Sequence, residues 1–76
     1  MAVVRFTGYK HGLLKVSLTK LFRNDVGLDL DIAKGKTDAL VRGESFDIDV
    51  EDIEEATKLV ERATAVGAIC RVVTDE

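Results

Sequence analysis

A change of hydrophobic period within one short segment does most to limit what this chain can become. In residues 45–50, apolar and polar side chains alternate, with Phe46, Ile48 and Val50 against Ser45, Asp47 and Asp49. That is the pattern of a strand with one wet face. A few residues later the apolar spacing lengthens, and Ile53, Ala56, Val60 and Ala63 form a helical stripe closed by Gly67. Asp49 or a neighbouring acid is placed to cap this helix, and Glu51, Asp52, Glu54 and Glu55 crowd its first turns, where the helix dipole favours negative charge. A half-buried strand running almost directly into a one-sided helix must bury two apolar faces, which selects a layered α+β arrangement.

The remainder follows the same logic. "AVVRFT" alternates, with Val4 and Phe6 on one face, and is expected to end as a strand at Gly8. After the loop "YKHG", Leu14, Leu18 and Leu21 recur at helical spacing in residues 13–23, and residues 24–27 read as a turn. A second helix places Leu30, Ala33, Thr37, Leu40 and Val41 on one stripe, with Asp29 as N-cap and Gly43 just past its end. "AICRVV" is a closing strand with Ala68, Cys70 and Val72 on one face and Ile69, Arg71 and Val73 on the other. The predicted order is β-α-α-β-α-β: a two-layer α+β sandwich, one domain over residues 1–76, with three helices on one face of a three-stranded sheet. The pattern leaves strand order open.

Composition sets limits on this picture. Seventy-six residues without proline make one small domain with no linker. A domain of this size buries only about 60% of its unfolded surface. With three Phe, one Tyr and no Trp, its core is expected to be thin and mainly aliphatic. No apolar run approaches the roughly 20 residues of a membrane span. Cys70, the single cysteine, has no intramolecular disulfide partner, and no secretory signal pattern follows Met1, so a cytoplasmic protein is expected.

Charge is divided unevenly. Residues 1–42 carry eight Lys or Arg against four Asp or Glu, whereas residues 43–76 carry three against ten. A two-signed surface suits oriented docking to a protein better than binding to nucleic acid, for which the total of −3 and the shortage of stacking aromatics in the basic segment are both unfavourable.

Side chains for catalysis are scarce. His11, the only histidine, lies with Tyr9 and Lys10 in a glycine-flanked loop that lacks the spacing of a phosphate-binding motif. Cys70 reads as a small core residue, and "DIDVEDIEE" lacks the Gly and Glu positions of a calcium loop. No catalytic group, cofactor or metal is therefore expected.

The first helix has a more informative face. At about 100° per residue from Lys15, Thr19 falls near 40°, Arg23 near 80°, Val16 near 100° and Lys20 near 140°, roughly opposite Leu14, Leu18 and Leu21. Val16 thus points away from the core, within a basic strip. The second helix has a second apolar face of Leu28, Ile32, Gly35 and Ala39. Two placements remain open for it: packing against the first helix, or lining a partner groove of Val16, Ile32 and Leu28 edged by Lys15, Lys20, Arg23 and Lys34. Ile32, Gly35 and Ala39 are equally a candidate homodimer face, since small residues permit close approach.

At these positions the sequence resembles the C-terminal domain of the bacterial large-subunit ribosomal stalk protein. That family typically reads Lys-Val-x-x-Ile-Lys-x-x-Arg and, three residues on, Gly-Leu-x-Leu-x-x-Ala-Lys. Here Lys15, Val16, Thr19, Lys20 and Arg23, then Gly27, Leu28, Leu30, Ala33 and Lys34, align without a gap over twenty residues. Thr19 replaces the usual isoleucine, Asp29 replaces a common glycine, and beyond Lys34 the correspondence shifts by about one helical turn. The resemblance implies the β-α-α-β-α-β sandwich and a non-catalytic module that docks translational GTPases, the elongation factors among them. By it, Lys15, Val16, Thr19, Lys20, Arg23, Gly27, Leu28 and Lys34 are the partner-binding residues. The chain opens on the first strand, so the family's helical dimerisation domain and hinge are expected to be absent. The Clp protease adaptor has a similar element order, but "TGYKHG" stands where its Asn-Asp-Asp pocket segment would be.

Overall fold

The computed structural model describes residues 2–73. Strand β1 (Ala2–Tyr9) leads to helix α1 (Lys15–Leu21), a π-helical turn (Phe22–Val26), helix α2 (Leu30–Val41), strand β2 (Phe46–Val50), helix α3 (Ile53–Ala65) and strand β3 (Ala68–Val73). The expected α+β order is thus present, with the strands arranged β2-β1-β3 and both outer strands antiparallel to the first. Consequently β2 and β3 run in the same direction on either side of β1, joined by α3.

Alternation is obeyed in the sheet. Val4 and Phe6 of β1, Ile48 of β2 and Ala68 of β3 are buried, while Thr7, Asp47, Asp49, Ile69 and Arg71 face water. The buried strand residues share one core with Leu18, Phe22, Ala33, Leu40, Ala56, Leu59 and Ala63, so the helices lie on a single face. On the open face Arg5 forms a two-pronged pair with Asp47, its register partner, at 2.9 and 3.2 Å. The Arg5 hydrogen bond holds the Asp47 carboxyl below the usual carboxylate range; desolvation opposes it, and the nearby charges of Arg5 and Arg71 add smaller lowering effects.

The core is mainly aliphatic, as composition suggested, with one aromatic cluster within it. All three phenylalanines meet: the Phe6 ring lies 5.2 Å from Phe22 and 5.3 Å from Phe46, and Phe22 and Phe46 are 6.0 Å apart. Edge-on and offset arrangements at such spacings contribute about 0.5–1.5 kcal/mol beyond area burial. Phe22 was missed by the helix-one stripe, which included Leu14 in its place. Leu14 is 55% exposed and precedes the helix. The same correction applies to Leu30 and Ile53, expected in buried stripes but 51% and 53% exposed, and Leu59 supplies core that the third stripe omitted.

Local boundaries also differ from expectation. β1 passes through Gly8 to Tyr9, with a register shift between Phe6 and Gly8 in its pairing with β3. The Tyr9 hydroxyl donates to the Val41 carbonyl at 3.2 Å, tying the end of that strand to α2. The supposed turn after helix one is the π-helical stretch, which ends at Gly27 with φ +85°. Of the acids expected to cap α3, Asp52 is the one that does, its carboxylate accepting the Glu55 N–H at 2.9 Å. Asp29 occupies the cap position of α2 without such a bond. At Gly67, φ is +103° and a Cβ would lie 3.0 Å from the Leu13 Cα, so both conformation and space favour glycine.

Total stability for a domain of this length is about 4–11 kcal/mol. Phe22→Ala is expected to cost about 3–5 kcal/mol, a large part of that total, whereas Leu14→Ala should change urea-unfolding stability by no more than about 0.5 kcal/mol. Because the folded-state pKa of Asp47 is lowered, its contribution is fully present above the unfolded value of about 3.9 and is lost as pH falls through the folded value. The stability gap between wild type and Asp47→Asn should therefore narrow on acidification below about pH 4, as followed by urea titrations at stepped pH.

Candidate functional site

α1 and α2 leave a groove of about 380 Å³ between their outer faces, a size within the range of ligand and peptide clefts. Its lining holds Lys15, Val16, Thr19, Lys20 and Arg23 from the first helix and its π-helical extension, and Leu30, Lys34, Thr37 and Asp38 from α2. Val16 is 70% exposed, so the aliphatic side chain within the basic strip does face solvent. Lys15, Lys20, Arg23 and Lys34 are exposed around it, and Asp38 is the single acid of the lining.

The floor is polar and closed by a hydroxyl pair. Thr37 is buried, and its Oγ1 lies 2.8 Å from the Oγ1 of half-buried Thr19. Thr19 Oγ1 is also 3.0 Å from the Lys15 carbonyl, and Thr37 Oγ1 is 3.1 Å from the Ala33 carbonyl. Three close contacts share two hydroxyl protons, so one hydroxyl donates to the other, which in turn donates to its own helix backbone. Either direction satisfies the buried Thr37. Thr19 is therefore matched by a polar partner across the helix pair.

Several residues assigned to the docking face have other positions. Leu28 is half-buried against the core, with its N–H donated to the Phe22 carbonyl at 3.1 Å, and Gly27 terminates the π-helical turn. The aliphatic side chain that faces Val16 across the groove is Leu30, in place of Ile32 and Leu28. Ile32, Gly35 and Ala39 are roughly 140–200° around α2 from Leu30, away from the groove. Ile32 is 50% exposed, Gly35 has open space where a Cβ would project, and Ala39 is half-buried. That face consequently does not pack against α1. Leu30 and Lys34, four residues apart, share a side of α2, which was the available signal; assigning Leu30 to the core concealed it.

The other candidates offer less chemistry. In the His11 loop the N–H groups of Lys10, Leu13 and Leu14 are donated to the carbonyls of Gly67, Lys10 and Val66, so they do not converge on an anion. Burial pushes the Cys70 thiol pKa up, favouring the unreactive protonated form, with a smaller opposing effect from Thr64. Two further hollows, of about 230 and 400 Å³, border the π-helical turn; both include Asp25, Val50 and Glu55, and Arg62 pairs with Asp25 beside the first. Among the described residues no three His, Cys, Asp or Glu side chains form a metal-binding group, and no helix is long and apolar enough to cross a membrane.

In comparison with known proteins, the chain matches no family model and no curated protein at a significant level.

The hydroxyl pair makes a quantitative demand. Thr19→Val and Thr37→Val should each cost about 1 kcal/mol, and the double replacement should cost less than their sum by about 0.5–1 kcal/mol, because both singles remove the same inter-helix bond. Urea unfolding of the four proteins of this cycle measures that coupling.

Proposed function

We propose that this protein is a non-catalytic interaction module, of the kind found at the C-terminus of the ribosomal stalk protein, that docks a translational GTPase in the groove between α1 and α2. The observation that carries this reading is the pairing of two exposed aliphatic side chains, Val16 and Leu30, inside a rim of Lys15, Lys20, Arg23 and Lys34. An apolar centre with a charged border is the anatomy of a protein interface. Aliphatic contact supplies the short-range attraction, and the rim guides an acidic partner into register.

The twenty-residue ungapped resemblance at these positions gives the partner class its support. Six of its members, Lys15, Val16, Lys20, Arg23, Leu30 and Lys34, line one groove, while Gly27, Leu28 and Ala33 belong to the frame that positions it. Among the described residues, the strands and loops add no nucleophile hydrogen-bonded to an activating base, which favours recognition over catalysis.

Binding of purified translational GTPases provides the test. Lys20→Glu with Arg23→Glu is expected to weaken capture at least about tenfold at low salt, and Val16→Ala to weaken it by a similar factor, with the circular dichroism spectrum unchanged. Undiminished binding by the charge-reversed protein, or no binding of any such GTPase by the wild type, would overturn the assignment.

A further inference from the structure

The acidic half of the chain carries a surface that is the electrostatic counterpart of the groove. Around α3, taking Ile53 as zero, Thr57 lies near 40°, Glu61 near 80° and Glu54 near 100°, all away from the buried Ala56, Leu59 and Ala63. Ile53 is 53% exposed, and Glu51, Glu54 and Glu61 are exposed with it. Lys58 and Arg62 are farther around the helix, on the side where Arg62 pairs with Asp25. One surface therefore presents an aliphatic side chain among carboxylates, and the other presents Val16 and Leu30 among ammonium and guanidinium groups. None of the ion pairs among the described residues uses Glu51, Glu54, Glu61, Lys15, Lys20, Arg23 or Lys34.

We propose that a second copy of this chain occupies the groove, with the Ile53 strip of α3 on one molecule docking against the α1 and α2 rim of the next. This rests on reading the groove as a docking face. The two surfaces are different, so the contact is heterologous and extends head to tail or closes into a ring. Both copies carry −3, but at about 0.1 M salt the screening length is about 10 Å, shorter than the 32 × 23 × 19 Å molecule. Facing patches are then felt more strongly than net charge. At about 1 M the screening length falls to about 3 Å and the attraction between patches is largely lost. Self-association also blocks the groove, so copies compete with any other partner for it.

Sedimentation with two complementary variants tests the proposal. Wild-type mass should rise with concentration into the millimolar range at about 0.1 M salt and return to the monomer value at about 1 M. Glu54→Lys with Glu61→Lys keeps the groove but spoils the strip; Lys20→Glu with Arg23→Glu does the reverse. Each variant alone should remain monomeric, and their equimolar mixture should associate again, because the intact groove of one meets the intact strip of the other and the two reversed patches are themselves of opposite sign. A wild type that stays monomeric throughout, an unchanged oligomer in either variant, or a mixture that does not associate would overturn the proposal. So would an oligomer dispersed only by Ala39→Arg, which would place the contact on the far face of α2. The Glu54→Lys and Glu61→Lys protein separates this question from the proposed function, because its intact groove should still capture a GTPase if that reading holds.

Discussion

The meeting of three phenylalanines is the contact on which the arrangement depends. Phe6 lies on the central strand, Phe46 opens β2, and Phe22 begins the π-helical turn, so one cluster joins both layers at the point where the first helical segment changes its winding. Once Phe22 is turned inward against the sheet, Leu18 one helical turn earlier follows it into the core. The opposite side of α1 is left to Lys15, Val16, Lys20 and Arg23. Exposure of Val16 is thus a consequence of where the aromatic ring is fixed, rather than a separate local preference. Lys36 adds its ammonium 5.1 Å above the Phe46 ring, linking α2 to the same cluster.

Much of the layer structure was legible because strand alternation is a strict two-residue signal: a face is either buried or wet, and Phe46, Ile48, Ala68 and their partners all fall on the expected side. The residues wrongly assigned to the core have a common location. Leu14, Leu30 and Ile53 stand at the N-terminal boundary of their helices, and all three were assigned to buried stripes by periodicity. In a helix the Cα–Cβ bonds tilt toward the N-terminus, so a residue in the first turn covers surface beyond the end of the helix. The sheet no longer lies beneath it there. Periodicity counts such a residue as core, while geometry places it at the margin.

The candidate site was legible in its first half only. Angular counting on one helix placed Val16 among cations correctly, since it needed no knowledge of any neighbour. Which side of α2 opposes α1 depends on packing, and the apolar content of Leu28, Ile32, Gly35 and Ala39 pointed to the wrong side. The decisive contact joins two threonines, a residue type that hydropathy treats as neutral. Thr19 and Thr37 set the helix pair by a hydrogen bond, and Leu30 faces Val16 as a result.

The position of β1 also bears on the order in which the molecule can be assembled during synthesis. Its ladder to β2 can form once residue 50 is available, but Val3 pairs with Val73, so the second edge of the central strand stays open until residue 73 has been made. A nascent chain leaving the ribosome therefore emerges with an unfinished sheet whose main strand is exposed on one side. Long-separation pairing of this kind is slow to close, and the sheet is complete only when β3 reaches β1.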